Sequence, residues 1–367
     1  MKIKLKDLLL PQSKSKIKAG EGLSKGKYKF FTSSPIQSKF FEVADYTFPA
    51  LIFGTGGNAS VHFCDEPFST STDCLVMYGV DNANLELIYQ YLNTNLHILQ
   101  AGFKGAGLQH ISKDYILDIV VDFPDKETQN HILAEIQNLD SLITARRDQI
   151  SKHDELVKAR FVELFGDPEH NEKKWDVFKL DALCSVSSSK RIYQNELSMD
   201  GVPFLRISDL VNRMDTGSTE CELYIPEERY EELQTLGLVP IAGDMLITAR
   251  GTLGRCYTLT ENDRFYFQDG MITWLYDFDK SLTTNYLTHL FAMSGFRKQI
   301  DSLQAGSTVA YLSISMTKKL NVMLPPLELQ NQFTAFVEQT DKSKFKIQQS
   351  LEKLETLKKA LIQKYFG

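Results

Sequence analysis

The sequence predicts an α+β protein: two mixed domains, each followed by a long helix, related by a pseudo-two-fold internal repeat, with the two helices paired as a coiled coil. Three observations carry this reading. The chain is written twice, the back of each copy holds a seven-residue apolar ladder, and the front of each copy holds short strand-like runs.

The repeat is the strongest of the three. Residues 105–166 align without a gap onto 306–367 at a constant offset of 201. Gly105 falls on Gly306, Ser112 on Ser313, Pro124 on Pro325, Gln129-Asn130 on Gln330-Asn331, and Phe165-Gly166 on Phe366-Gly367. Upstream, Gly54-Thr55-Gly56-Gly57 aligns with Gly251-Thr252-Leu253-Gly254 at an offset of 197, and Leu5 and Gly26 align with Leu180 and Gly201 at 175. The second copy is therefore longer only in its front part. Solenoid units repeat every ~20–50 residues, so each copy here is a domain with an appendage.

The appendages read as helices. Ile136, Ile143, Ile150, Val157 and Leu164 recur every seventh residue, with Leu139, Leu142 and Leu156 beside them. In the second copy, Phe333, Ile347, Leu354 and Leu361 form a ladder broken at Thr340, flanked by Val337, Leu351 and Tyr365. No Pro or Gly interrupts 128–165 or 327–366. Such a seam marks a coiled coil, and a ~40-residue helix spans ~60 Å. Phe123-Pro124 and Leu324-Pro325-Pro326 lead in as extended segments.

The fronts show strand-like runs at Phe48–Phe53, Cys74–Tyr78, Ile116–Val121, Asp244–Thr248 and Met271–Tyr276, and helical patterns at 84–99 and 283–303. The polar Gly166–Asn171 stretch is the best linker in the chain.

Composition narrows the function. The chain has 367 residues, is 43% apolar and 24% charged, and has a net charge of −6, as an ordinary globular protein of two or more domains would. No apolar run is long enough to span a membrane, and the start lacks the pattern of a secretory signal. Five cysteines without CxxC spacing fit a reducing cytoplasm rather than a disulfide framework or a zinc knuckle. The charge is uneven: residues 1–40 carry ten lysines against two acids, a net of +8, while 41–124 carry −8. A basic arm attracts phosphates whatever the total charge.

Catalytic motifs are missing. There is no HExxH, GxSxG or Walker loop, no complete GxGxxG, and no Asn/Asp-Pro-Pro-aromatic methyltransferase signature. His62, Cys64 and Cys74 are irregularly spaced for a metal site, and none is expected. What remains is a set of polar and basic residues on expected loops, of the types that contact phosphates and base edges. In the first front these are Lys14, Lys16, Lys27, Lys29, Thr55, Asn58 and Lys104, with His62, Gln109 and His110. In the second they are Lys190, Arg191, Arg206, Arg250, Thr252 and Arg255, with Tyr193, Arg213, Gln268, Ser307 and Thr308. Arg250 and Arg255 flank Gly251–Gly254, a turn expected to aim both guanidiniums outward.

These residues resemble a known family. Leu324-Pro325-Pro326-Leu327-Glu328-Leu329-Gln330-Asn331-Gln332, opening a heptad helix that ends Leu361-Ile362-Gln363-Lys364-Tyr365-Phe366-Gly367, is similar to the conserved region of type I restriction-modification specificity (S) subunits. Gly243-Asp244-Met245-Leu246-Ile247, followed by Gly251-Thr252-x-Gly254, resembles the family's target recognition domain, as does Trp175 ahead of Leu180. The first copy has Asp125 where the family has a second Pro, and it lacks both the Gly-Asp and the opening Trp, so its recognition domain reads as a divergent subtype.

The resemblance implies target recognition domain 1 at 1–124, conserved helical spacer 1 at 125–167, target recognition domain 2 at 171–325 and conserved helical spacer 2 at 326–367, the spacers forming an antiparallel coiled coil. It also implies a cytoplasmic, non-catalytic subunit that binds a bipartite, asymmetric double-stranded DNA target. Two methyltransferase subunits and the restriction subunits would join it, and S-adenosylmethionine, ATP and Mg would be bound by those partners, with no cofactor in this chain. The alternatives are a single-chain DNA-modifying or DNA-cleaving enzyme and a protein-only coiled-coil scaffold.

Overall fold

The computed structural model describes residues 2–80, 83–105, 107, 109–122, 125–304 and 310–366. The chain divides into two compact units, one made of 1–148 with 347–367 and the other of 149–346, so the division runs through both long helices.

In the first unit the elements are β1 (Lys2–Lys4), β2 (Leu9–Pro11), β3 (Tyr28–Phe31), β4 (Lys39–Phe41), β5 (Ala50–Gly54), β6 (Val61–Cys64), β7 (Phe68–Thr70) and β8 (Cys74–Gly79). Then come α1 (Leu85–Thr94), α2 (Leu96–Gln100), β9 (Phe103–Lys104), β10 (His110–Ile111), α3 (Lys113–Asp118), β11 (Val120–Asp122) and the start of α4 (Lys126–Phe165). A four-stranded sheet (β2-β8-β5-β6), a three-stranded sheet (β4-β3-β7) and a β1–β11 ribbon make the domain. The lysine-rich segment 1–40 is thus no arm. It supplies four strands, and Ser15 is buried with its hydroxyl on Asp45.

The second unit repeats the plan with β12 (Asp176–Lys179), β13 (Ser185–Ser187), β14 (Val202–Leu205), α5 (Ile207–Thr216), β15 (Tyr224–Ile225), α6 (Glu227–Thr235), β16 (Met245–Thr248), β17 (Cys256–Thr258), β18 (Tyr266–Phe267) and β19 (Ile272–Tyr276). It closes with α7 (Thr284–Ala292), α8 (Ser294–Leu303), α9 (Ile314–Lys318), β20 (Asn321–Leu324) and α10 (Leu327–Phe366). Its sheets β13-β19-β16-β17 and β15-β14-β18 and its ribbon β12–β20 match the two larger sheets and the β1–β11 ribbon of the first unit, which also has the short pair β9–β10. The extra length of the second copy lies in α5 and α6, which have no helical counterpart between β3 and β5.

Hydrogen bonds give the true register of the repeat. Leu5 N–H donates to the Ile119 carbonyl at 2.9 Å and Leu180 N–H to the Leu320 carbonyl at 2.9 Å, which agrees with offsets of 175 and 201. Ile111 N–H donates to the Thr55 carbonyl and Leu312 N–H to the Ala249 carbonyl, so Thr55 corresponds to Ala249 and not to Thr252. Gly57 (φ +79°) then corresponds to Gly251 (φ +68°), both left-handed positions that favour glycine. The alignment at 197 is three residues out. The glycine strings look alike, but the β5–β8 and β16–β19 ladders set the pairing, with Leu51 opposite Met77 in one and Met245 opposite Leu275 in the other.

Other expectations are refined in the same way. The helical patterns at 84–99 and 283–303 each break into two helices, at Asn95 and at Met293. The strand expected at Ile116–Val121 begins as helix α3, capped by Ser112, and only 120–122 is strand, because the run is paced by the cap before it reaches the ribbon. Asp125, in place of the second Pro, accepts Thr128 N–H at 3.0 Å and the Thr128 hydroxyl at 2.9 Å, an N-terminal cap for α4. These bonds hold the Asp125 carboxyl below its usual range. Gly166 (φ +81°) ends α4, and the linker after it is tied down: Trp175 donates its indole N–H to the Phe165 carbonyl at 2.8 Å, and the Asn171 amide brackets the Trp175 backbone.

Each unit contains an antiparallel stretch of α4 against α10. In the first unit Lys358 meets Asp140 at 2.6 Å and Arg147 meets Glu355 at 2.7 Å, with Ile132, Ile136 and Ile362 buried in the domain's own core. In the second, Lys344 meets Asp154 at 2.6 Å, and Phe161 and Phe165 pack on Tyr286 and Phe333 at ring distances of 4.9–5.5 Å. The expected ladder is buried at Ile136, Ile143 and Val157, whereas the flanking Leu142 and Leu156 are about half exposed. Thr340, where the second ladder breaks, is buried with its hydroxyl on the Phe336 carbonyl.

His289 lies edge-on against Phe333 at 5.1 Å, and burial pushes its pKa from 6.5 down to about 4. The folded state therefore keeps it neutral while the unfolded chain takes up a proton below pH ~6.5. Stability is unaffected above that pH, falls as pH drops towards 4, and levels off below. The expected loss is about 2–3 kcal/mol by pH ~4.5, read as the urea midpoint of the second unit's transition. His289→Leu is expected to remove that part of the acid sensitivity, and an identical pH profile for the two proteins would refute the assignment.

Candidate nucleic-acid interface

The first domain gathers part of its expected site around one depression of about 670 Å³, lined by Gln12, Ser13, Lys14, Thr55, His110, Ser112 and Lys113 among others. β2 and the segment after it bring Lys14, the β5–β6 loop brings Thr55, and β10 brings His110. The His110 ring nitrogen Nδ1 lies 3.1 Å from the Thr55 carbonyl, and Gly56 pairs with His110 as an isolated bridge. Thr55 itself is buried, its hydroxyl given to the Asp73 carbonyl at 2.8 Å, so it shapes the loop.

Lys16, Asn58, Lys104 and Gln109 are exposed. Lys27 is exposed over the Tyr28 ring, and Lys29 pairs with Glu66 at 3.2 Å. Lys4 and Lys39 are likewise engaged, with Asp118 and the Ala19 carbonyl. His62 sits 2.8 Å from the Ser34 carbonyl beside Phe31, and burial lowers its pKa. Burial pushes the Cys64 thiol up, and the Cys74 thiol up to about 11. Asp167, Glu169 and His170 are the one metal-competent group among the described residues, but Glu169 already pairs with Lys298 at 2.6 Å.

In the second domain the site centres on the 249–255 turn between β16 and β17. Gly251 and Gly254 both have positive φ, the Thr248 hydroxyl donates to the Thr252 carbonyl, and Gly254 N–H donates to the Thr248 carbonyl at 2.8 Å. The Arg297 guanidinium holds the Leu253 carbonyl from beneath. Thr252 is exposed at the tip. The two arginines of the turn do not both point outward. Arg250 is exposed and lies over the Tyr311 ring at 5.1 Å, while Arg255 is turned onto Asp215, at the end of α5, through two hydrogen bonds. That ion pair holds the Asp215 carboxyl below its usual range.

The other arginines are also engaged. Arg206 bonds Asp209 and Glu222, and Arg191 bonds Asp269 at 2.9 Å. Arg213, half-wrapped by Tyr257 and Phe265, pairs with the buried Asp263. Lys190 is exposed with its N–H on the Tyr266 hydroxyl, Tyr193 is exposed, and Gln268 is half-buried at the end of β18. Ser307 and Thr308 lie outside the described residues. Sequence reasoning missed Lys113, Asp215 and Tyr311. The signal for Tyr311 was present, since it occupies the place of His110 at the offset of 201.

Two domains on one template, with different side chains on matched loops and a forty-residue helix after each, make a duplicated α+β protein. The type I restriction modification DNA specificity domain matches residues 1–152 and 172–359, and the chain belongs to that family: it is a non-catalytic DNA-recognition subunit. A putative type I restriction enzyme specificity subunit of Haemophilus influenzae is 25% identical over 288 residues, 77% of this chain and 70% of that protein. The MjaVIII specificity subunit of Methanocaldococcus jannaschii is 23% identical over 301 residues, 76% and 69% of the two chains. The crystal structure of the S subunit from M. genitalium shares the fold, with a TM-score of 0.60, 15% identity, and coverage of 100% of this chain and 96% of that one. A chain from a structure of type I restriction-modification complex assembly also scores 0.60, at 14% identity and 100% and 97% coverage. The single-chain enzyme and the protein-only scaffold are set aside by this membership.

The ion pairs separate structural from surface arginines. Arg213→Ala leaves the buried Asp263 carboxylate unpaired and is expected to cost about 3–5 kcal/mol of stability. Arg255→Ala breaks a more exposed pair and is expected to cost about 0–1 kcal/mol. Urea unfolding of the two variants checks the ranking, and equal losses would overturn it.

Proposed function

We propose that each recognition domain binds one half of a split, asymmetric DNA sequence and that the α4–α10 pair sets the separation of the two halves. The observation that carries this reading is the matched repeat itself: the same strand order in the two larger sheets and the closing ribbon of each domain, unequal loops, and two helices of forty residues each. Unequal loops suit different half-sites, and equal helices suit a fixed spacing. A helix of ~60 Å exceeds the ~34 Å of one DNA turn.

Two methyltransferase subunits dock on the repeated frame in this reading, and restriction subunits join them, with S-adenosylmethionine, ATP and Mg bound by those partners. Leu142 and Leu357 in the first unit, and Leu156 and Phe345 in the second, support a protein partner on the helices, each 48–63% exposed. The complex works in the cytoplasm, and among the described residues no helix is long and apolar enough to cross a membrane.

Two outcomes are expected. One heptad inserted at 148/149 together with one at 346/347 lengthens the pair by about 10 Å, roughly three base pairs. Sequencing of modified adenines in a host carrying the complex should show a longer spacer between unchanged half-sites, and an unchanged spacer would refute the reading. The isolated chain, with its net charge of −6, is expected to bind DNA weakly in a gel shift and tightly once methyltransferase subunits are added. Tight, sequence-specific binding by the chain alone at physiological salt would contradict it.

A further inference from the structure

The two domains act as an internal alignment, and one position differs in a way that bears on base recognition. The isolated antiparallel bridge Arg250–Tyr311 in the second domain corresponds to Gly56–His110 in the first, as the flanking Leu312–Ala249 and Ile111–Thr55 bonds show. The backbone slot is the same, but it holds an arginine on an aromatic face in one domain and a bare glycine against an imidazole in the other.

Arginine and lysine are the side chains that read guanine at O6 and N7, and arginine does so with a rigid planar fork that gives two parallel bonds. Residues 1–145 contain no arginine at all, so no such contact is available to the first domain. The second domain, 171–325, contains eight. Six of them have a carboxylate within 3.2 Å, and the seventh, Arg297, is spent on the Leu253 carbonyl under the turn. Arg250 is the eighth. Among the described residues no carboxylate pairs with it, it is exposed, and the Tyr311 ring supports it through the ring's face, which leaves the N–H fork unused. Its backbone is held firmly, because Ala249 N–H donates to the Met271 carbonyl at 2.8 Å and Gln304 clasps Tyr311 through both its amide atoms. A guanidinium on a rigid, closed turn with no competing acid is placed for a base edge, where preorganisation preserves the full value of the contact.

We infer that Arg250, stacked on Tyr311, reads a guanine in the half-site of the second domain, and that the half-site of the first domain is read without any arginine–guanine contact. The inference rests on the half-site reading, and its test tells the two apart. The complex of this chain with its methyltransferase subunits is produced in a host, and methylated adenines are mapped for the wild type and for Arg250→Ala, Arg250→Lys and Arg264→Gln. The wild type should give one bipartite motif. Arg250→Ala should lose preference for guanine at one position of one half-site by about 10- to 100-fold, with the other half-site unchanged. Arg250→Lys keeps the charge without the fork, so it should keep overall methylation and relax the same position. Arg264→Gln removes an exposed cation paired with Glu227 and should leave the motif intact.

An unchanged motif in Arg250→Ala, or methylation reduced equally on every sequence as a phosphate contact would produce, overturns the inference while leaving the half-site reading standing. Absence of any bipartite motif from the wild-type complex overturns both.

Discussion

The rest of the structure depends on an exchange of helix ends. The C-terminal part of α10 supplies Leu361, Ile362 and Tyr365 to the core of the first unit, where they meet Ile132 and Ile136. The C-terminal part of α4 supplies Phe161 and Phe165 to the core of the second, between Tyr286 and Phe333. Burying aromatic and aliphatic side chains of this size contributes ~1.5–3 kcal/mol each. Each recognition domain is therefore completed by the helix that follows the other one. Neither front is a free module carried on a spacer, since the apolar face of each ends on residues that lie far away in sequence.

This arrangement explains why the loops can differ while the frame does not. The ribbons β1–β11 and β12–β20 close each domain just before its helix begins, and the Leu5–Ile119 and Leu180–Leu320 bonds repeat one closure in both copies. A change there would move the helix entry and hence the packing of α4 on α10. The insertions α5 and α6, by contrast, enter between strands and leave the ladders intact. They also bring the carboxylates that occupy half of the second domain's eight arginines, Asp209 and Asp215 from α5 and Glu227 and Glu232 from α6. An acidic total charge and a DNA-recognition role coexist because many of these acids neutralise particular cations.

Much of this was legible in the sequence, and the limits have physical causes. The long helices were readable because forty residues of heptad repetition cannot be satisfied by any other backbone period. The central strands β5, β8, β16 and β19 were readable as apolar runs. Segment 1–40 looked like an arm because its lysines outnumber its acids, yet the apolar residues between them, Ile3, Leu9, Phe30 and Phe40 among others, were enough to build four strands. The patterns at 84–99 and 283–303 gave no warning of a break, since Asn95 and Met293 stop a helix through local backbone geometry.

By itself, the sequence determined that the protein is a duplicated α+β module with a long heptad helix after each copy, and the resemblance of its motifs pointed to the family. Periodicity and residue chemistry are properties of the chain alone. Only the tertiary structure decided which residue stands where Thr55 stands, which arginines are engaged, and that Arg250 rests on Tyr311. Those outcomes follow from hydrogen-bond ladders and ion pairs between segments tens of residues apart, and a carboxylate's partner depends on where the fold places it rather than on its neighbours in sequence.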